Sequence, residues 1–193
     1  TTAPEIASRL FTHLDNLFRY VVLKKYCDRN ILADIRKKDI VKPRISKHMA
    51  KITDLGVLKQ LINQIYNYNG NHNIKNALKL VLHIPLRAEN LCNLKWNQIN
   101  FENKTLTIPR ENMKLSNINL DDFVMPLTDE VIKILKEHKD MQLFSIKPKE
   151  YVFLGFNNRQ AINKESPNRA LYRLGFNDEK KGTKIRLHGF RGT

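Results

Sequence analysis

The stretch "RKKDIVKPRISKHMAK", residues 36–51, constrains the fold of this chain more than any other feature. It carries seven Lys or Arg against a single Asp, and Pro43 sits near its middle. A proline lacks the backbone donor and clashes with the preceding helical turn, so no continuous helix runs through it. The apolar periodicity found on either side disappears here as well. The chain therefore reads as two units joined by a basic linker: residues 1–35, the linker 36–52, and a larger unit 53–193.

Before the linker, Ile6, Leu10, Leu14, Leu17 and Val21 recur every three to four residues, with Phe11, Phe18 and Val22 widening the stripe. That spacing predicts an amphipathic helix from residue 3 to about 28, some seven turns long. Its apolar face needs a partner, expected upstream. The chain starts "TTAPEIASRL" and its first Met is Met49, so it is expected to be a piece cut from a longer polypeptide at both ends.

After the linker, Thr53 or Asp54 can cap a helix to about Asn69, with Leu58, Leu61, Ile62 and Ile65 on one face. "NIKNALKLVLHIP" predicts a second helix, apolar enough to be central to the core and ended by Pro85. "AENLCNLKW" predicts a short third helix. "QINF", "KTLTIP" and "DDFVMPLT" predict a small antiparallel sheet over roughly 98–127. Thr128 caps a further helix with Val131, Ile134 and Leu135 facing in. "YVF" is a brief extended run, and "SPNRALYRLGF" is a helix with Pro167 in its first turn. "RLHGFRGT" begins one more. The fold class is mainly α with a small antiparallel β-sheet (α+β).

Charge narrows the partner. The chain has 34 Lys and Arg against 19 Asp and Glu, a net of +15, and such a surplus favours a polyanion, nucleic acid first. Arg36, Lys37, Lys38, Lys42, Arg44 and Lys47 of the linker are the candidates for lying along a phosphate backbone, where each neutralised phosphate releases counterions; a solvated interdomain linker is the plainer reading. The two cysteines, Cys27 and Cys92, form no C-x-x-C pair, which argues against a disulfide scaffold or a structural zinc site. No secretory signal and no run of about 18 apolar residues occurs, so a membrane partner is not expected and the location reads as cytoplasmic.

The chemistry-bearing residues form no P-loop, no G-x-G-x-x-G, no G-x-S-x-G and no H-E-x-x-H. His13, His48, His72, His83 and His138 have no nearby ligand partners and read as surface or core histidines. Asp121 and Asp122 with Glu137-x-Lys139 could form a Mg²⁺ nuclease site. That pattern wants the triplet on a strand, and here it falls on a predicted helix. A cationic set is more coherent: Arg87 at a helix start, Lys114 between two strands, and His188 and Arg191 in "HGFR". Two guanidinium groups can stabilise a five-coordinate phosphorane through paired hydrogen bonds. A lysine of lowered pKa can protonate the leaving oxygen, and an imidazole can donate to phosphate or shuttle a proton. Only a nucleophile is lacking.

"LRAENLCNLKWNQINFENKTLTIP", "NMKLSNINLDDFVMPLT" and "LHGFRGT" together resemble the arginine box, lysine hairpin and H-x-x-R box of the tyrosine recombinases, the phage-integrase type. "LFRYVVLKKYCDRNILADI" resembles the last helix of that family's DNA-clamping core-binding domain. Pro85 stands where the family often has Gly, and Asn90 where it often has Glu, with Glu89 one place earlier. The resemblance implies a partial catalytic domain over 53–193 acting on double-stranded DNA, with no metal and no other cofactor. It implies Arg87 and Arg191 as phosphate clamps, Lys114 as general acid and His188 as proton assistant. A tyrosine would attack the scissile phosphate to give a 3′-phosphotyrosyl link. The six tyrosines, 20, 26, 66, 68, 151 and 172, all precede His188 and read as helix-face or core aromatics, so this chain alone is expected to be inactive. The resemblance also implies a bacterial cell, a phage or prophage origin, a full-length protein tetrameric on DNA, and a monomeric fragment. A non-catalytic, DNA-binding remnant of a decayed prophage protein is the competing expectation.

Overall fold

The computed structural model describes residues 3–41, 49–113, 120–143 and 149–193. Two compact units emerge, Thr1–His48 and Met49–Thr193.

In the first unit, α1 (Pro4–Leu23) begins with Pro at a position whose backbone donor has no intrahelical partner anyway. Pairs four residues apart, Arg9 with Glu5 at 2.6 Å and Arg19 with Asp15 at 2.9 Å, line its exposed side. The helix stops five residues short of the expected end. Lys25 turns left-handed at φ 58°, Tyr26 N–H reaches back to Val21 O and Lys25 N–H to Val22 O. These two bonds make a Schellman cap, which satisfies the last carbonyls without a glycine. No residue of α1 is buried, and Ile6, Leu10, Leu17 and Leu23 stand exposed. Near the start of the basic stretch a one-turn helix forms, α2 (Lys37–Ile40). Lys37 Nζ donates to Thr12 Oγ1 of α1 at 3.0 Å.

The second unit is organised around α4 (His72–His83), which packs against the four other helices of the unit, α3 (Leu55–Tyr66), α5 (Ala88–Cys92), α6 (Asp129–Leu143) and α7 (Glu165–Arg173). Its central place follows from its sequence: Ala77, Leu78, Leu80 and Val81 form a broad apolar face, and all four are buried, with Lys75 and Lys79 on the remaining side. Asp54 caps α3 by accepting from Val57 N–H at 2.8 Å, and Asn71 caps α4 by accepting from Asn73 and Ile74. A three-stranded antiparallel sheet follows in the order β1 (Ile99–Asn100), β2 (Thr105–Ile108), β3 (Phe123–Pro126). Leu106 faces both Ile99 and Met125 across the register, and it sends its side chain into the core with Ile108. The β1–β2 connection is tightened by Asn100 Oδ1, which accepts from Glu102 and Asn103 N–H.

A polar network lies inside this core. His138 of α6 is fully buried. Its Nε2 lies 2.7 Å from Val152 O and its Nδ1 lies 2.9 Å from Asn76 Nδ2 of α4. A carbonyl only accepts and an amide nitrogen only donates, so the ring is the neutral Nε2–H tautomer. Gln142 Nε2 also donates to Val152 O, and Trp96 Nε1 donates to Gln142 Oε1 at 3.0 Å. One histidine thus ties α4, α6 and the 151–154 segment together. No helix among the described residues is long and apolar enough to cross a membrane.

Candidate active site

Arg87 is positioned by the end of α4. Ile84 leaves helical geometry, Pro85 bars its resumption, and Leu86 N–H bonds Ile84 O at 2.7 Å while its side chain enters the core. Arg87 is then the N-cap of α5, its carbonyl accepting from Leu91 N–H at 2.9 Å. Its half-buried side chain lines a cleft of about 680 Å³ shared with Asn90, Lys95, Gln98, Met113 and Tyr151.

Two carboxylates, Glu89 and Glu111, also line this cleft, and several of its residues have partners of their own. Glu89 pairs with Lys164 at 3.6 Å, and Asn90 Nδ2 lies 3.6 Å from Met113 Sδ. Lys95 Nζ pairs with Glu150 at 2.8 Å, and that hydrogen bond, with the carboxylate's charge, raises the lysine's pKa. Among the described residues, the Arg87 guanidinium makes no ion pair and no hydrogen bond. Burial of Cys92 behind Arg87, with the Glu89 charge nearby, pushes its thiol up to about 12, so this sulfur is no nucleophile at neutral pH.

His188 is the N-cap, and Arg191 the last residue, of a single 3₁₀ turn, Gly189–Arg191. The sequence alternates here: Ile185, Leu187, Gly189 and Phe190 are buried, whereas Arg186, His188 and Arg191 are exposed. Leu187 N–H is held by Asn168 Oδ1 at 3.0 Å, and Phe190 packs into an apolar recess with Leu58, Ile62 and Tyr66 of α3 and Val81 and Leu82 of α4. Gly189 lies so close to Ala50 that an added Cβ would come within 2.5 Å of its carbonyl oxygen. His188 and Arg191 do not line the Arg87 cleft. The two segments nonetheless hang on the same end of α4, because the Phe190 recess includes His83 and Arg87 follows four residues later.

Lys114 lies outside the described residues, as do Lys42, Arg44 and Lys47. Met113, immediately before Lys114, lines the Arg87 cleft. Arg36, Lys37 and Lys38 are exposed on the first unit. The acidic alternative does not assemble: Asp122 caps Arg110 N–H at 2.9 Å, Lys139 lies over the Trp96 and Phe101 rings, and Glu137 is exposed on α6. No group of three His, Cys, Asp or Glu able to hold a metal occurs among the described residues. Tyr151, expected as a helix-face or core aromatic, stands on the cleft wall with Lys95 Nζ 5.6 Å from its ring centre. Sequence reasoning missed Lys95 and Gln98 too. The one available signal was their place beside Trp96, within the stretch that begins at Arg87.

The helical unit wrapped on α4, with its edge sheet and an arginine at the N-cap of the short α5, has the fold of tyrosine-recombinase catalytic domains. A Tn1549 transposon integrase in complex with transposon right end DNA matches it with a TM-score of 0.64 at 16% identity, over 99% of this chain and 69% of that one. A lambda integrase dimer bound to a COC′ core site matches with a TM-score of 0.59 at 17% identity, over 95% and 49% of the two chains. The chain belongs to the phage integrase family, whose sequence model matches residues 52–193. It is 26% identical over 194 residues to prophage integrase IntZ of Escherichia coli K12, covering 100% of this chain and 44% of that protein. It is also 28% identical to a tyrosine recombinase of Thermosipho africanus, over 76% of this chain and 46% of that one. The chain spans about half the length, or less, of the curated relatives it matches.

Proposed function

We propose that these residues form the DNA-binding and phosphate-activating part of a site-specific recombinase that breaks and rejoins DNA through a 3′-phosphotyrosyl intermediate, without a metal ion. The observation that supports this reading best is the Arg87 guanidinium, presented at a helix N-cap in an open cleft and unpaired among the described residues. Arg87 and Arg191 bind the non-bridging oxygens of the scissile phosphate and stabilise its extra charge in the transition state. Lys114 protonates the 5′ oxygen as it leaves, and His188 assists proton movement. Arg36, Lys37, Lys38, Lys42, Arg44 and Lys47 take phosphates along the duplex. Residues 1–35 act as part of a core-binding domain, 36–52 as linker and 53–193 as part of the catalytic domain. The full-length protein works as a tetramer on DNA, and these residues alone are monomeric.

None of the six tyrosines is assigned as the nucleophile. The 193-residue chain is therefore expected to bind duplex DNA, with affinity falling steeply as salt rises, and to form no covalent adduct. Anisotropy titrations over a salt series test the first part, and Arg87→Ala is expected to reduce the log–log slope by about 1. A nicked suicide substrate tests the second. A tyrosine-linked adduct, or binding indifferent to salt, would overturn the reading.

A further inference from the structure

Phe156 is the most exposed large apolar side chain among the described residues, standing fully in solvent. The loop that carries it is built rather than slack. Leu154 and Ala161 pair as a β-bridge, Gly155 N–H bonds Gln160 O at 2.8 Å, and Asn158 N–H bonds Gly155 O at 3.0 Å. Asn158 adopts φ 54°, a left-handed conformation that Asn accepts more readily than most residues. Arg159 N–H is held by Asn157 Oδ1 at 3.2 Å. Such a framework fixes an aromatic ring in water, where it does nothing for the fold.

Two further observations identify what the ring meets. First, the 155–160 loop itself contains Arg159, three side-chain amides and no Asp or Glu, the nearest acids in sequence being Glu150 and Glu165 outside it. An apolar ring in such surroundings suits a nucleic acid, whose grooves accept apolar wedges and whose phosphates take the cations. A protein-docking aromatic would sit in a wider apolar patch. Second, the loop is tethered beside the Arg87 cleft. Lys149 Nζ donates to Asn158 O at 3.2 Å, and Tyr151, two residues after Lys149, lines that cleft. Phe156 lies five positions after Tyr151, a span of at most about 18 Å. A duplex carries about ten phosphate charges over that length.

We infer that the 155–160 loop is a second DNA contact, with Phe156 packed into a groove of the duplex next to the phosphate held by Arg87, and Arg159 and Lys149 on flanking phosphates. This rests on the DNA-binding reading above. Phe156→Trp in the 193-residue chain, read as a difference from the Trp96 background, provides the probe. On addition of duplex DNA the new tryptophan is expected to change its emission and become shielded from acrylamide. Phe156→Ala is expected to weaken duplex binding at least about fivefold with an unchanged salt slope. Arg159→Ala is expected to lower the slope by about 1. If duplex binding depends on Arg87 while the tryptophan at 156 stays exposed and Phe156→Ala binds normally, the loop proposal fails and the wider reading stands. If the tryptophan is shielded before DNA is added, a protein surface covers the loop and the proposal is wrong. If the unmodified chain does not bind duplex DNA, both fall.

Discussion

Acid should loosen the second unit through one residue, His138. Burial is the main cause that holds its pKa down to about 4, with the nearby His72 adding to it and the Val152 carbonyl opposing it. In the unfolded chain the same imidazole titrates near 6.5. Between those values the unfolded state binds a proton that the folded state refuses, so stability falls as pH falls. The loss begins near pH 6.5 and is complete below about 4. The gap amounts to about 3 kcal/mol at 1.36 kcal/mol per pKa unit. The geometry explains why the folded state resists. A proton on Nδ1 would set two donors against each other across 2.9 Å, because the Asn76 amide already points its nitrogen there. The assay is urea unfolding of the 193-residue chain at pH 7.5, 6.0, 5.0 and 4.5, compared with His138→Gln. The wild-type chain should lose about 2.5 kcal/mol more than the variant across that range, the remainder of the gap falling below pH 4.5. Parallel losses would refute the argument, as would an NMR titration midpoint for the His138 ring above pH 6.

Three other outcomes are expected. Gly189→Ala places a methyl group against the Ala50 carbonyl and should cost about 1–3 kcal/mol in urea unfolding, with faster hydrogen exchange over 185–193. Asp54→Ala removes the side-chain acceptor for Val57 N–H and should cost about 1 kcal/mol, with the effect confined to the start of α3 in exchange measurements. Cys92, buried and with its thiol raised to about 12, should resist a disulfide reagent at pH 8 that labels the half-buried Cys27. Mass spectrometry should show one label before denaturation and two after.

Local rules account for what the sequence revealed. The apolar run of α4 announced a central helix, Asp54 and Thr128 announced helix starts, and alternating Leu106 and Ile108 announced a strand with one buried face. The order Arg87, Lys114, His188, Arg191 carried the family. What stayed hidden depends on residues far apart or on conformations that the residue type disfavours. Nothing in the letters around Lys25 marks a left-handed lysine, so the apolar spacing predicts α1 five residues longer than it is. Asn76 and His138 are 62 positions apart, and Tyr151 meets the Arg87 cleft only because 149–154 returns beside Lys95. Periodicity and caps cannot reveal such meetings, because tertiary packing decides them.

The contact between Gly189 and Ala50 has a mechanical meaning. Ala50 and Lys51 stand at the start of the second unit, and Ile52 N–H is bonded to Thr193 Oγ1 at 3.3 Å. The incoming chain is therefore clamped to the turn that holds His188 and Arg191, with no core helix between them. The placing of His188 and Arg191 therefore depends on residues 50–52 as well as on the core behind Phe190, so a change at Ala50 should be felt at that turn.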